Sequence, residues 1–226
     1  MTENLKALIQ EDSTKNINNS SLQKKRGRPK CFDEKEVLRK AMLLFWEYGY
    51  ESTSIGDLTK ALGVTAPSLY STFGDKAELF QKCLQYYDQN ESCEMEKIFN
   101  HATSIKQGLH QYLLQSTLYL IQKHKPAGCM YVVSTMNCSQ ENQFLQDALC
   151  EKRHQKKQKI YEYLEKAQIQ NELKDHVDIR ALSDYYTTVM QGMSIQARDG
   201  AQVEQLKNVV ELAMQTWNIY NNSAPV

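Results

Sequence analysis

The stretch SIGDLTKALGVTAPSLYSTFGDKAE, residues 54–78, decides the fold. Ser54 and Asp57 stand three apart, the spacing at which an N-cap hydroxyl and a carboxylate one turn later satisfy each other's backbone amides. Ile55, Leu58, Ala61 and Leu62 then recur on one face, and Gly63 stops the run. Thr65 is the N-cap of a second short helix. Pro67 is tolerated in its first turn, where the missing amide hydrogen had no partner, and Leu69 and Phe73 point inward before Gly74 closes it. Asp75 and Glu78 repeat the capping spacing and open a third helix, DKAELFQKCLQYYDQ.

Two short helices joined by the tight turn LGVT fit a helix-turn-helix, whose second member enters the major groove of DNA. A helical protein-interaction module without DNA binding fits the same periodicity, and the outward face of the second helix separates the two. With Leu69 and Phe73 inside, Thr65, Ala66, Pro67, Ser68, Tyr70, Ser71 and Thr72 are left outside or at the margins, and none carries a charge. Small hydroxyl-bearing side chains with one tyrosine suit close approach to base edges and phosphates. A face meant only for water more often carries Lys and Glu.

Upstream, FDEKEVLRKAMLLFWEYG at 32–49 places Asp33 and Glu36 in the same capping relation, with Val37, Leu38, Ala41, Leu44, Phe45 and Tyr48 on one face and Gly49 as the stop. Before it, KKRGRPK at 24–30 packs five positive side chains into seven positions. Such a cluster is often solvated tail. Here Arg26-Gly27-Arg28-Pro29 alternates guanidinium arms with a residue lacking a side chain and one that holds the backbone extended, a strip slim enough for a minor groove. Arg26, Arg28 and Lys30 are therefore candidate DNA contacts, the two arginines favouring a narrow, A·T-rich groove beside the recognition helix.

The 226 residues carry no net charge, but residues 23–82 hold eleven Lys and Arg against eight Asp and Glu, so positive charge gathers toward the N-terminal end. A 41% hydrophobic content supports a sizeable core, and only nine glycines and four prolines point to an all-α protein. No apolar run approaches the roughly eighteen residues of a membrane span, and MTENLKALIQ lacks the apolar core of a secretory signal. A cytoplasmic protein without membrane contact is expected. Cysteines 31, 83, 93, 129, 138 and 150 form no CxxC pair and have no histidine at zinc spacing, which argues against a disulfide framework or a bound metal.

The run TSIGDLTKALGVTAPSLYSTFGDKAELF, preceded by RGRPKCFDEKEVLRKAMLLFWEYGYEST, resembles the DNA-binding domain of the TetR/AcrR family of one-component transcriptional regulators. The resemblance spans about residues 26–86, with the glycine stops, the Leu69-Tyr70 pair and the FGDK at 73–76 in register. It implies that the helix from Thr65 to Phe73 is the recognition helix. Tyr70, Thr53 and Lys76 would contact phosphates, and Thr65, Pro67, Ser68 and Ser71 would face the groove. Many relatives carry an imidazole or amide where Ser71 stands, so a base preference does not carry over. The family fold implied is all-helical and homodimeric, a three-helix DNA-binding head with a variable helical ligand-binding and dimerisation body behind it.

The expected organisation is a disordered tail at 1–22, the basic arm and head at 23–88, the body at 89–221 and a short tail at 222–226. Body helices are expected near 91–99, 104–124, 129–137, 140–170, 179–198 and 203–221. The body shows no nucleophile elbow, no phosphate-cradling glycine loop and no His cluster, so neither an enzyme nor a cofactor is expected. The last two helices are apolar over more than one face, through Leu182, Tyr185, Tyr186, Val189, Met190, Met193 and Ile195, then Val209, Leu212, Ala213, Met214 and Trp217. Such girth needs a second covering surface, and a four-helix dimer interface supplies one, with deeper burial in a single subunit as the alternative.

In PAGCMYVVS at 126–134, Pro126 and Gly128 interrupt a helix and Cys129 begins the next, where a helix dipole would activate its thiol. Some TetR-type regulators with a similar Gly-Cys start respond to oxidants or electrophiles, and Arg198 could lie nearby; a thiol that only packs is the plainer alternative. Tyr112, Tyr119, Tyr131, Tyr186, Met136, Met190 and Met193 could line an apolar effector cavity, though each also reads as ordinary core. The function expected is a ligand- or redox-responsive regulator, a repressor rather than an activator. It binds palindromic double-stranded DNA as a homodimer and is released by a small-molecule or electrophile effector.

Overall fold

The computed structural model describes residues 32–134 and 138–222. The tail at 1–22, the arm with Arg26, Arg28 and Lys30, Met136, and residues 223–226 lie outside the described residues. Among the described residues every regular element is helical, and the only strand-like pairing is an isolated antiparallel bridge between Leu173 and Asn221.

The head comprises α1 (Glu34–Tyr48), α2 (Ile55–Leu62), α3 (Ala66–Phe73) and α4 (Lys76–Asn90). Its capping follows the sequence closely, with one departure. Ser54–Asp57 and Asp75–Glu78 close reciprocal boxes at the starts of α2 and α4, and the Thr65 hydroxyl accepts from the Ser68 amide at α3. At α1 only half of the expected box forms. Asp33 accepts from the Lys35 amide at 2.9 Å, while Glu36 reaches forward to Lys40 at 2.7 Å instead of back to the cap. Gly63 supplies the left-handed turn between α2 and α3, at φ 67°.

Packing in the head is aromatic. Phe45 meets Phe80 edge-on at 5.1 Å and Trp46 meets Tyr87 at 4.9 Å, locking α1 against α4. The single-face expectation for α1 understates its burial, because Met42, Leu43 and Trp46 are as buried as Ala41, Leu44 and Phe45. The reason is topological. α1 has α4 on one side and the body on the other, and the head's core cluster also takes in Met130, Tyr131, Leu145 and Leu149. The first core therefore runs past residue 88 into the body.

The body comprises α5 (Met95–His101), α6 (Ile105–Leu120), α7 (Met130–Val133), a 3-10 turn at Gln140–Asn142, α8 (Gln143–Ile169), α9 (Ile179–Arg198) and α10 (Val203–Tyr220). Three expected helices differ. The one expected near 91–99 starts at Met95, because the amides of Glu91 and Ser92 bond back to the Tyr87 carbonyl and finish α4 first. The one expected to reach 124 stops at Leu120, whose carbonyl accepts from Gly128 at 2.9 Å and folds the connecting loop back. The one expected at 129–137 is a single turn, Met130–Val133, within the described residues. A second core cluster, including Leu109, Leu164, Tyr186 and Trp217, joins α6, α8, α9 and α10.

Candidate nucleic-acid interface and effector cavity

Leu69 and Phe73 anchor α3 from behind at 1% and 4% exposure, and Phe73 stacks on Phe32 at 6.4 Å between ring centres. Thr65, Pro67, Tyr70 and Ser71 stand exposed on the other side, with Ala66, Ser68 and Thr72 half-buried at its margins. The hydroxyls are held locally: Thr65 donates to Ser68 Oγ at 3.1 Å, and Ser71 Oγ donates to the Ser68 carbonyl at 3.0 Å. Each hydroxyl oxygen keeps acceptor capacity and can rotate its proton toward an incoming partner. α3 carries no charged side chain, so its outer surface is one of hydroxyls, a proline ring and a phenol.

Lys76 lies beside this face with its ammonium 4.2 Å above the Tyr50 ring. Burial holds its pKa below the ordinary lysine value, while Glu51 acts in the opposite sense. Thr53 departs from the expectation of a phosphate contact. It is 1% exposed, and its hydroxyl donates to the Gly49 carbonyl at 2.7 Å, so its side chain closes the turn after α1 and does not reach outward.

The body residues singled out in the sequence fall into two groups. Tyr112, Cys129, Tyr131 and Met190 converge on a cavity of about 70 Å³ between α6, α8 and α9. Tyr119, Tyr186, Met193 and Arg198 do not line it. Tyr119 lies under the Lys125 ammonium at 5.0 Å, while Tyr186 and Met193 belong to the second core. Burial raises the phenol pKa of Tyr112, Tyr131 and Tyr186 well above the ordinary value, so all three are neutral side chains.

Cys129 donates its amide to Ser194 Oγ at 2.7 Å, and its sulfur accepts from the Tyr87 hydroxyl at 3.4 Å. The four-residue turn that follows offers little macrodipole, so the expected activation by a helix start lacks the helix it needs. Arg198 reaches α1 and also lies within 3.5 Å of the Ala127 carbonyl, two residues before Cys129. It pairs with the Glu47 carboxylate at 3.0 Å and also donates to the Glu47 carbonyl. Beside it, Trp46 Nε1 donates to the Gly128 carbonyl at 3.1 Å, one residue from Cys129. Head and body thus meet where the cavity begins.

Sequence reading missed both this joint and the polar side of the cavity. Arg153, Lys156, Lys157 and Thr187 line it together with the aromatic residues. The run RHQKKQK at 153–159 reads as a solvated face, and only α8's position over α6 and α9 turns part of it inward. No signal for the Trp46–Gly128 bond exists in spacing, since the partners are 82 residues apart. Among the described residues there is no cluster of three potential metal ligands, and no helix is long and apolar enough to cross a membrane.

Residues 37–83 match the family of bacterial regulatory proteins of the tetR type. The chain is 32% identical over 197 residues to the HTH-type transcriptional repressor ComR of Escherichia coli (strain K12), covering 87% of this chain and 94% of that protein. It is 28% identical over 180 residues to the repressor BdcR of the same strain, covering 80% of this chain and 86% of that protein. Among solved structures, a cysteine-substituted form of the TetR family regulator CifR, complexed with 26-base-pair double-strand operator DNA, superposes with a TM-score of 0.81. It shares 31% identity, and the match covers 84% of this chain and 100% of that one.

Proposed function

Because this chain belongs to the TetR family of bacterial transcriptional regulators, we propose that it is a repressor that binds a palindromic operator as a homodimer and leaves DNA when an effector occupies the body. The observation that carries the DNA-binding part is the outer face of α3: exposed Thr65, Pro67, Tyr70 and Ser71, uncharged, on a helix fixed from behind by Leu69 and Phe73. Tyr70 and Lys76 are assigned to phosphates, and Thr65, Pro67, Ser68 and Ser71 to base edges. The basic arm with Arg26, Arg28 and Lys30 follows the flanking minor groove. Repression is the activity by which the relatives ComR and BdcR are named.

Dimerisation is assigned to α9 and α10. Tyr185, Val209 and Leu212 leave an apolar surface on these helices, with Leu212 72% exposed, and a twofold mate would cover it. Two recognition helices on one such axis would fall roughly 34 Å apart, one turn of DNA. Release is a population shift. An effector moves the equilibrium only by its difference in affinity for the two body conformations, and the route to the head runs through Gly128–Trp46 and Arg198–Glu47. Cys129, which borders both the cavity and that joint, is the residue an electrophile would reach.

Selection of binding sites from random-sequence duplex DNA tests this reading. Enrichment of an inverted repeat, bound by two chains per site, is the expected result. Failure to enrich any sequence at low salt would favour a helical interaction module instead.

A further inference from the structure

Resting on the reading of the body as the effector-binding part, we propose that the effector is a small organic anion: a carboxylate on a short apolar chain or a single ring, held in the cavity between α6, α8 and α9. The cavity is lined by three cations, Arg153, Lys156 and Lys157, and by no aspartate or glutamate. Only Lys157 has a carboxylate partner, Asp184 at 2.8 Å. Arg153 spends one Nη on the Tyr131 carbonyl at 2.6 Å, and Lys156 lies 4.9 Å from the centre of the Tyr131 ring. Among the described residues neither has a carboxylate within ion-pair distance. Their positions at 153, 156 and 157 put all three on one face of α8, so a single anion can meet more than one of them.

Thr187 gives an independent sign of a missing ligand. Its hydroxyl oxygen is buried without a hydrogen-bond partner among the described residues, and the residue lines this same cavity from α9. A buried hydroxyl with no partner is uncommon and marks a place where an acceptor belongs. A carboxylate supplies that acceptor and the countercharge together. The rest of the lining includes the apolar side chains of Leu120, Ile160 and Met190. That combination suits an acid with a hydrocarbon body, and leaves an inorganic anion half in contact with hydrocarbon.

Size sets the remaining limit. The cavity of about 70 Å³ admits only a few heavy atoms as it stands, and the unbranched Met190 can swing to enlarge it. A neighbouring chamber of about 260 Å³, which Asp184 also lines, shares Arg153, Lys157, Thr187 and Gln191 with it. A dinucleotide or a long-chain lipid is far too large for this space.

The test is calorimetric titration of the full chain, at fixed ionic strength, with butyrate and benzoate, their amides butyramide and benzamide, and inorganic phosphate. At least one of the acids is expected to bind at one site per chain, at least about tenfold more tightly than its amide and than phosphate, a difference of about 1.4 kcal/mol. Lys156→Met keeps the aliphatic stem and is expected to weaken the acid by about tenfold while leaving the amide unchanged. Arg153→Gln is a second variant with the same expected pattern. Equal binding of acid and amide, binding of neither acid, phosphate binding as tightly as the acids (an adventitious ion only), or unchanged acid affinity in both variants would overturn the proposal. DNA-site selection on the same preparation keeps the two readings apart. A chain that selects an operator but ignores both acids loses only the ligand class, and one that binds an acid but selects no DNA loses only the regulator reading.

Discussion

At the helix starts of the head, polar groups are settled locally: Ser54 with Asp57, Asp75 with Glu78 and Thr65 with Ser68 all close within three residues. In the body they reach across the fold. Glu172 accepts from the amides of Ile105 and Lys106, Arg198 crosses to Glu47, and the buried hydroxyls of Tyr186 and Thr187 find no partner among the described residues. The contrast fits the proposed division of task. A surface that must present the same atoms to DNA each time gains from caps that fix short helices independently of their surroundings. A region that must accept a ligand and pass on its presence needs long-range ties and unfilled capacity.

The largest test of that contrast is in packing. Phe45→Ala, at a fully buried position edge-on to Phe80, is expected to cost about 3–5 kcal/mol in denaturant unfolding. Leu212→Ala, at 72% exposure, is expected to change subunit stability by about 0.5 kcal/mol or less while weakening self-association in sedimentation. A comparable loss of stability from both would erase the distinction between core and covered surface. Next in size, Tyr70→Ala combined with Ser71→Ala is expected to weaken operator binding by about 1–3 kcal/mol without moving the melting temperature, since neither side chain is buried. Loss of affinity accompanied by loss of fold would show that the face is structural.

The joint between the two regions is sharpened by Trp46→Phe, which keeps an aromatic ring but removes the donor to the Gly128 carbonyl. A cost of about 1–2 kcal/mol is expected, together with weaker coupling between effector and DNA binding. An unaltered coupling would place the route elsewhere. The smallest effect is confined to alkali. Burial and the nearby Glu172 push the Tyr163 phenol from 10.0 up to about 12. A raised folded value means that stability is full below pH 10 and declines as pH rises through about 12. Tyr112 and Tyr186, likewise raised by burial, add to the same trend. A melting temperature that stays flat across that window would contradict the assigned burial.

How much of this was legible in the sequence follows the same division. Ser54, Thr65, Asp75 and the glycine stops act over three or four residues, and spacing alone located α2, α3 and α4 and the outward face of α3. Thr53 was assigned to a phosphate by resemblance alone, and the path of the backbone after Gly49, which turns it inward, is not written in its spacing. In the body, aromatic and thioether residues drew attention to Tyr112, Tyr131 and Met190. The cations of α8 drew none, because nothing in a single helix's periodicity says which neighbours will enclose it. The helix expected at 129–137 is only the turn Met130–Val133 within the described residues, and the tie from Gly128 to Leu120 that shapes the preceding loop is tertiary.

In the proposed complex α3 lies in the major groove through its hydroxyl face. Methylation interference at guanine N7 on the selected operator tests it most directly, because that atom lies on the major-groove edge. Two patches of interference, centred about one helical turn apart and related by the operator's dyad, are the predicted result. Protection limited to the minor groove, or a single patch with no symmetry mate, would contradict it.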